Sequence, residues 1–178
     1  MSRKLLISDA NILIDMIVGG LLDDIFRLDY EFGLPDVLFE YELHENHADL
    51  PEKGLQVLVL EDAAVEDTGS LYARHRSSGV SINDCMALAL ARQEDCPLLT
   101  GDAALRQVSI LEDVEVRGTL WLLGEMIEAN VIAVDRAAAA YGAMRADGSH
   151  LPWNEVDAQI EKFRDRRSVI RSCAEAMK

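Results

Sequence analysis

Short apolar runs alternate with helical spacing of apolar residues over the first two-thirds of the chain. The apolar runs predict strands at Lys4–Ser8, Phe32–Pro35, Leu55–Leu60, Pro97–Thr100 and Val114–Arg117. The stretches between them have the periodicity of helices packed on one face. Because parallel strands are joined by long crossover connections, this alternation predicts an α/β fold with a mostly parallel sheet. The predicted helices are Ala10–Val18, Leu21–Leu28, Val37–His47, Ala63–Arg76, Ile82–Glu94 and Ala103–Val108.

The pattern changes after Gly118, where helical spacing predominates. It predicts helices at Thr119–Ala129 and Ala133–Arg145 and a last helix that opens at Pro152, while Arg164–Lys178 is expected to be frayed or extended. A chain of 178 residues suits one hydrophobic core. We therefore predict a main domain at 1–125 and a C-terminal helical extension at 126–178, packed on the same unit.

Composition narrows the class of protein. No apolar run approaches the roughly 20 residues that cross a bilayer, so no membrane association is expected. The three cysteines are odd in number and have no paired spacing, which fits a reduced cytoplasm. The formal net charge of −15 is unusual for a protein that binds nucleic acid, because phosphate binding usually needs a basic surface. The acidity either serves solubility or is concentrated where a cation neutralises it.

Three aspartates stand at junctions between an apolar strand and a helix. Asp9 follows the first strand, Asp102 follows Leu98-Leu99, and Asp84 lies in the first turn of its helix. Ligands of open parallel sheets bind outside the carboxyl ends of the strands. If the strands before Asp9 and Asp102 are neighbours, all three carboxylates face one crevice. Glu42, on the helix after the second strand, adds a fourth.

Such a cluster favours a hard divalent cation. Mg²⁺ and Mn²⁺ prefer carboxylate and water oxygens, and a bound cation removes the repulsion between the carboxylates. Each aspartate also has a purely structural interpretation. Asp9 and Asp102 can cap the helices that follow them, and Ser81 with Asp84 forms an S-x-x-D capping box. The order of the residues along an alternating chain favours the shared pocket.

Four segments of the chain resemble the motifs of a known family: Ile7–Asp15, Leu34–Leu43, Ser81–Ala91 and Leu98–Asp102. On these segments the chain resembles the PIN-domain family of metal-dependent nucleases, which includes toxins of the VapBC type. The resemblance covers roughly residues 1–125 and implies a three-layer α/β/α fold that binds Mg²⁺ or Mn²⁺. It matches Asp9, Asp84 and Asp102 to the family's aspartates one by one.

The family's glutamate is usually followed by leucine, and Glu42-Leu43 matches that pair. Counting from Pro35, the expected position can also fall on Tyr41, which leaves Glu40 as the competing choice. Glu40 and Glu42 are two residues apart, so they cannot occupy the same face of a regular helix.

The resemblance also implies supporting hydrogen-bond groups close to the carboxylates. Thr100 matches the threonine or serine that the family places beside its last aspartate. Asn11 and Ser81 are the other two supporting residues that we predict.

The leading functional hypothesis is a metal-dependent endoribonuclease acting on single-stranded RNA. No histidine or lysine stands in the motifs, so the metal and its bound water are expected to handle the protons. The resemblance also implies a possible toxin role, in which a small antitoxin blocks the carboxylates with a basic side chain. It further implies a homodimer.

Two other functions stay open from the sequence. An aspartyl-phosphate phosphatase of the haloacid-dehalogenase type also has an aspartate after its first strand. Asp9-Ala10-Asn11 lacks the second aspartate usual in that class. A PIN-like binding module without catalysis would be consistent with the acidic surface and the ambiguous glutamate.

Overall fold

A single parallel sheet lies at the centre of the molecule. The computed structural model describes the backbone of residues 4–176 and the side chains of residues 4–166. In this part of the chain the strands are β1 (Lys4–Ser8), β2 (Tyr30–Pro35), β3 (Leu55–Leu58), β4 (Leu98–Leu99) and β5 (Val116–Arg117). All of their pairings are parallel, in the order β3-β2-β1-β4-β5. The predicted parallel sheet and three-layer α/β/α fold are confirmed.

Helices connect the strands and continue beyond β5. They are α1 (Ala10–Val18), α2 (Leu22–Ile25), α3 (Asp36–Leu38), α4 (His44–His47), α5 (Leu50–Lys53), α6 (Asp62–His75), α7 (Ile82–Gln93), α8 (Ala103–Leu111), α9 (Thr119–Glu128), α10 (Val134–Asp147) and α11 (Trp153–Ala176), with a π-helical segment at Phe39–Leu43 and a 3₁₀ turn at Arg76–Ser78. The short helix α5 has no counterpart in the sequence prediction.

The register of β1 against β4 settles which strand ends meet. Ile7 pairs with Leu98 and Ser8 with Leu99, so the two strands end side by side. The next residue continues the ladder, since the Asp9 backbone N–H donates to the Leu99 carbonyl at 2.9 Å. The adjacency on which the predicted crevice depends is therefore present.

The helix α7 is buried over most of its surface. Ala87, Leu88 and Leu90 are each fully buried, and the helix packs against α6, β1 and β2. Polar residues are confined to its two ends, so its first turn can reach the carboxyl edge of the sheet. Cys85, in the same helix, is buried as expected of a core thiol, and burial raises the pKa of that thiol to about 11.

The helix predicted at Val37–His47 is interrupted by one wide turn. In the π-helical segment Phe39–Leu43, the His44 N–H donates to the Phe39 carbonyl five residues back. Leu38 and Leu43, also five residues apart, are each only 2% exposed. A regular helix would turn these two leucines well away from each other, whereas the π turn keeps both in the core.

The C-terminal helices share the core of the sheet domain. The helix α10 packs on α1 and α11, and its Ala137 and Met144 are fully buried. Asp15 of α1 accepts hydrogen bonds from Thr119 (3.1 Å) and from Ser149 in the loop after α10 (2.7 Å). Packing of the tail on the same unit follows from these contacts, while the division at residue 125 stays a prediction.

The expectation that Arg164–Lys178 is frayed or extended is wrong as far as Ala176, because α11 continues to that residue. Ion pairs hold its charged surface to the neighbouring helices: Arg164 contacts Asp135 and Arg166 contacts Glu128. Residues 177–178 lie outside the described part. Within the described residues, no helix combines the length and apolarity needed to span a bilayer.

Candidate active site

Asp9 is the most buried carboxylate at the carboxyl edge of the sheet. It stands between β1 and α1, is 3% exposed, and caps α1 by accepting from the Ile12 N–H at 2.9 Å. Its other oxygen accepts from the Thr100 hydroxyl at 2.5 Å. The cap interpretation of Asp9 is confirmed, and the carboxylate is held from two sides.

The ionisation of Asp9 is strongly perturbed. Burial is the largest cause, and it raises the pKa of Asp9 from 3.8 to about 6, against the lowering effect of the Thr100 and Ile12 hydrogen bonds. The charges of Asp84 and Asp102 raise the pKa further. Asp84 and Asp102 therefore act electrostatically on Asp9. Perturbed carboxylates of this kind cluster at functional sites.

Thr100 links Asp9 to Asp102. Its hydroxyl, fully buried at the end of β4, donates to Asp9 and accepts from the Asp102 backbone N–H at 3.0 Å. Asp102 caps α8 by accepting from the Leu105 N–H through Oδ1 at 2.7 Å, and its side chain is exposed. The hydroxyl thus fixes the distance between the two strand ends that carry the carboxylates.

Asp84 is held by the predicted capping box at the start of α7. The Ser81 N–H and the Ser81 hydroxyl both donate to Asp84 Oδ2, at 2.7 and 2.8 Å. In return the Asp84 N–H donates to the Ser81 hydroxyl at 3.1 Å. Both bonds to the Asp84 side chain use Oδ2. The box therefore orients Asp84 and occupies only one of its oxygens.

The two candidate glutamates have different surroundings. Glu42 Oε1 accepts from the Asn83 side-chain amide at 2.8 Å, which brings it beside Asp84 at the start of α7. Glu40 faces His44, at 3.3 Å, and its side chain is 61% exposed. The π turn inserts one residue, which accounts for the ambiguity in counting. Tyr41 instead points to solvent, 84% exposed.

The supporting residues divide into two groups. Thr100 and Ser81 bond directly to predicted site carboxylates, as described above. Asn11 is exposed and lines, together with Asp102 and Ser149, a cavity of about 450 Å³. Asn11 therefore faces the approach to the site.

The four carboxylates do not form a ready-made metal centre. Among the described residues, no group of three or more His, Cys, Asp or Glu side chains is arranged so that it could hold a metal ion. The predicted ligands therefore lie along one edge of the sheet without closing around a common point. Their chemistry still suits a hard cation, because Asp84 Oδ1 and Asp102 Oδ2 lie outside the capping bonds.

Fold and site together define a class: an α/β/α protein with acidic side chains at the carboxyl edge of a parallel sheet. The model of the DUF3368 family, a PIN domain, matches residues 5–165. The chain therefore belongs to the PIN-domain family, as its motifs indicated. PIN domains are generally nucleases and typically use divalent metals. This membership removes the ground for the phosphatase alternative. No curated protein matches the chain significantly.

Three features of the site are not predicted by the sequence patterns. Asn83 resembles an ordinary turn residue, although it binds Glu42. The Asp15–Ser149 bond joins residues 134 positions apart, which no local pattern can indicate. The Arg106 guanidinium donates to the Thr100 carbonyl at 3.2 Å, so a positively charged side chain lies next to the acidic edge. The spacing of Arg106 one turn after Asp102 is the only local signal for it.

Proposed function

We propose that this protein is a Mg²⁺- or Mn²⁺-dependent endoribonuclease. One observation carries the proposal: a buried aspartate whose pKa is raised to about 6 experiences the charges of two further aspartates at the carboxyl edge of a PIN-domain sheet. Asparagine would cap α1 as well as Asp9 does, so the helix cap does not require a buried negative charge at this position. A cation at this edge would offset it.

The donor set fits a hard cation of this kind. Asp9, Asp84 and Asp102 would hold it, with Glu42 at the margin. Mg²⁺ usually keeps several waters and binds through one or two carboxylates, so a closed ring of protein ligands is not required. When bound, the cation would supply activation of water and neutralisation of charge on the phosphate.

The protein's own residues position this edge. The Thr100 hydroxyl donates to Asp9 and so holds it at the adjacent strand. The same hydroxyl oxygen accepts from the Asp102 N–H, which positions the backbone at Asp102. Ser81 fixes the rotamer of Asp84. Asn83 holds Glu42 at α7. Each carboxylate is thereby oriented before substrate arrives, which avoids reorganisation during the reaction.

A pair of glutamine variants tests the proposal with an internal control. Glu42→Gln should lower Mn²⁺-dependent cleavage of a mixed RNA by about a hundredfold or more, an order typical of losing one preorganised electrostatic group. Glu40→Gln, the same change two residues away, should leave cleavage within about twofold. Equal activity of both variants would refute the role of Glu42.

Loss of activity in EDTA and in Asp84→Asn tests the metal-dependent chemistry itself. The serine hydroxyl and N–H can still donate to the amide oxygen, so the capping box survives in this variant. Cleavage that persists at the wild-type rate in Asp84→Asn would show that the nuclease proposal is wrong.

A PIN-like binding module without catalysis is the second candidate. The open arrangement of the carboxylates favours it. Calorimetric titration with Mn²⁺ separates the two functions, since a binding module would give no heat that depends on Asp9 and Asp84.

We extend the nuclease proposal to a toxin that is blocked by a small antitoxin and to a homodimer. Co-purification with the product of an adjacent reading frame and light scattering test these two extensions. A monomer without a co-purifying partner would contradict both.

A further inference from the structure

A groove runs from the acidic edge toward the C-terminal tail. The cavity beside Asp102 adjoins a second one of about 530 Å³, and the two share Gly101, His150 and Leu151. We refer to the second cavity, lined among others by Arg106, Arg117, Trp121 and His150, as the tail groove. A chain that passes through the acidic edge can therefore continue directly into the tail groove.

Arg106 forms the wall of the tail groove nearest to the aspartates. Its guanidinium donates to the carbonyl of Thr100, the residue whose hydroxyl binds Asp9. A Cβ at Gly118 would lie 2.7 Å from Arg106 Nη2, so the glycine leaves space for the guanidinium. The contact is to a neutral carbonyl, and the positive charge of Arg106 faces the groove without a bound carboxylate among the described residues.

An aromatic and cationic stack forms the far wall. The Arg117 guanidinium lies 5.3 Å from the Trp121 ring centroid, and Tyr30 packs edge-on against the same indole at 5.5 Å. The Tyr30 hydroxyl donates to Glu125, which fixes the stack from behind. The Arg117 side chain is 42% exposed, and its ion pair with Glu115 is at the surface and worth little.

Arg106 distinguishes the tail groove from the acidic surface around it. The net charge is −15, and several arginines are bound to carboxylates, as Arg92 is to Glu112 and Asp67. In the tail groove Arg117 also pairs with Glu115, and Glu155 is a further lining residue, whereas Arg106 has no carboxylate partner among the described residues. A polyanion that the acidic surface repels would therefore meet the uncompensated charge of Arg106 here.

We propose that the tail groove binds the nucleotide next to the scissile phosphate of a single-stranded RNA. Arg106 binds the flanking phosphate, and the unpaired base stacks on the Arg117–Trp121 pair. Stacking on aromatic and guanidinium planes is sequence-tolerant and requires an unstacked base, so it selects single strands. This inference rests on the proposed nuclease function for its substrate.

Tryptophan fluorescence tests the stack without catalysis. The chain has two tryptophans, and Trp153 lies under Arg145 at 4.4 Å, outside the tail groove. A mixed-sequence RNA decamer added in EDTA should quench the wild type and Trp153→Phe. It should not quench Trp121→Phe, and its affinity for that variant should be about tenfold or more lower. Equal affinity for both variants would overturn the proposal, as would the absence of quenching in the wild type.

Salt dependence tests the arginines. Arg106→Gln should lower the slope of log affinity against log salt by about 0.7, the value for one phosphate contact on a single strand, whereas Arg117→Gln, which alters the base stack, should lower the affinity and leave the slope unchanged. Arg145→Gln, the matched control, should leave the slope unchanged. An unaltered slope in Arg106→Gln would refute phosphate binding in the groove.

The two proposals can fail separately. Because binding is measured without metal, RNA that binds through Trp121 yet is never cleaved would refute the nuclease and leave the groove standing. Metal-dependent cleavage at unchanged KM in Trp121→Phe would refute RNA binding in the tail groove and leave the nuclease proposal standing.

Discussion

Replacing the buried aspartate by asparagine should stabilise the metal-free protein. In Asp9→Asn the amide oxygen can accept from the Ile12 N–H, and asparagine is as good a helix cap as aspartate. The Thr100 hydroxyl can rotate and accept from the new NH₂ group as well as from the Asp102 N–H, at the cost of its own donor bond, which offsets part of the gain. The capping geometry is thus preserved, while the buried negative charge and its repulsion by Asp84 and Asp102 are removed.

The magnitude follows from the pKa of Asp9. Because this pKa is about 6 in the folded protein against 3.8 normally, the folded state binds more protons than the unfolded state between these values. The stability of the wild type therefore falls as pH rises from about 4 through 6. At about 1.4 kcal/mol per pKa unit, the loss is about 3 kcal/mol above pH 7. Asparagine does not titrate, so we expect the variant to be about 1–3 kcal/mol more stable there.

Urea unfolding in EDTA at pH 4 and pH 7.5 measures this difference. The stabilisation should be present at pH 7.5 and absent at pH 4, where the wild-type carboxyl is protonated. Asp36→Asn is the control, because its half-buried carboxyl also accepts a helix N–H, that of Val37, and no stabilisation is expected. An Asp9→Asn protein less stable than the wild type at pH 7.5 would refute the electrostatic argument.

Three further changes test single contacts. Thr100→Val removes a hydrogen bond that lowers the pKa of Asp9, so the acid limb of the pH–rate profile should move to higher pH; an unmoved limb would contradict this. Ser81→Ala should cost about 1 kcal/mol in urea unfolding through loss of the cap, and no loss would count against the capping box. Gly33→Ala should cost about 1–3 kcal/mol, because its Cβ would lie 2.8 Å from an isoleucine of β1. Gly69→Ala, on an open helix surface, should instead stabilise by up to about 1 kcal/mol, and equal effects would refute the packing argument.

The sequence predicts the parts of this protein that depend on local periodicity. Apolar runs locate the five strands of the described residues because helices cover the sheet, most completely at the central strands β1, β2 and β4. Because ligands bind at the carboxyl ends of parallel strands, the positions of Asp9 and Asp102 directly after two strands then predict a site at one edge of the sheet. The capping box at Ser81 and Asp84 is equally local, since it needs only a spacing of three residues.

Features built from distant contacts could not be predicted in this way. The order of the strands depends on pairings such as Ser8 with Leu99, and the bond from Asp15 to Ser149 depends on how α10 packs on α1. The tail groove combines β5, α8, α9 and the loop after α10. The interaction of Glu42 with Asn83 depends on the π turn, which arises from core packing of two leucines five residues apart.

The π-helical segment has a consequence for comparing this chain with others. It is one residue longer than the regular turn it replaces, so a relative with an uninterrupted helix would carry its α7-facing side chain at the position aligned with Tyr41. An ungapped comparison would therefore align that side chain with the solvent-facing Tyr41. A single-residue gap within Phe39–Leu43 would align it instead with Glu42, the residue that contacts α7 through Asn83.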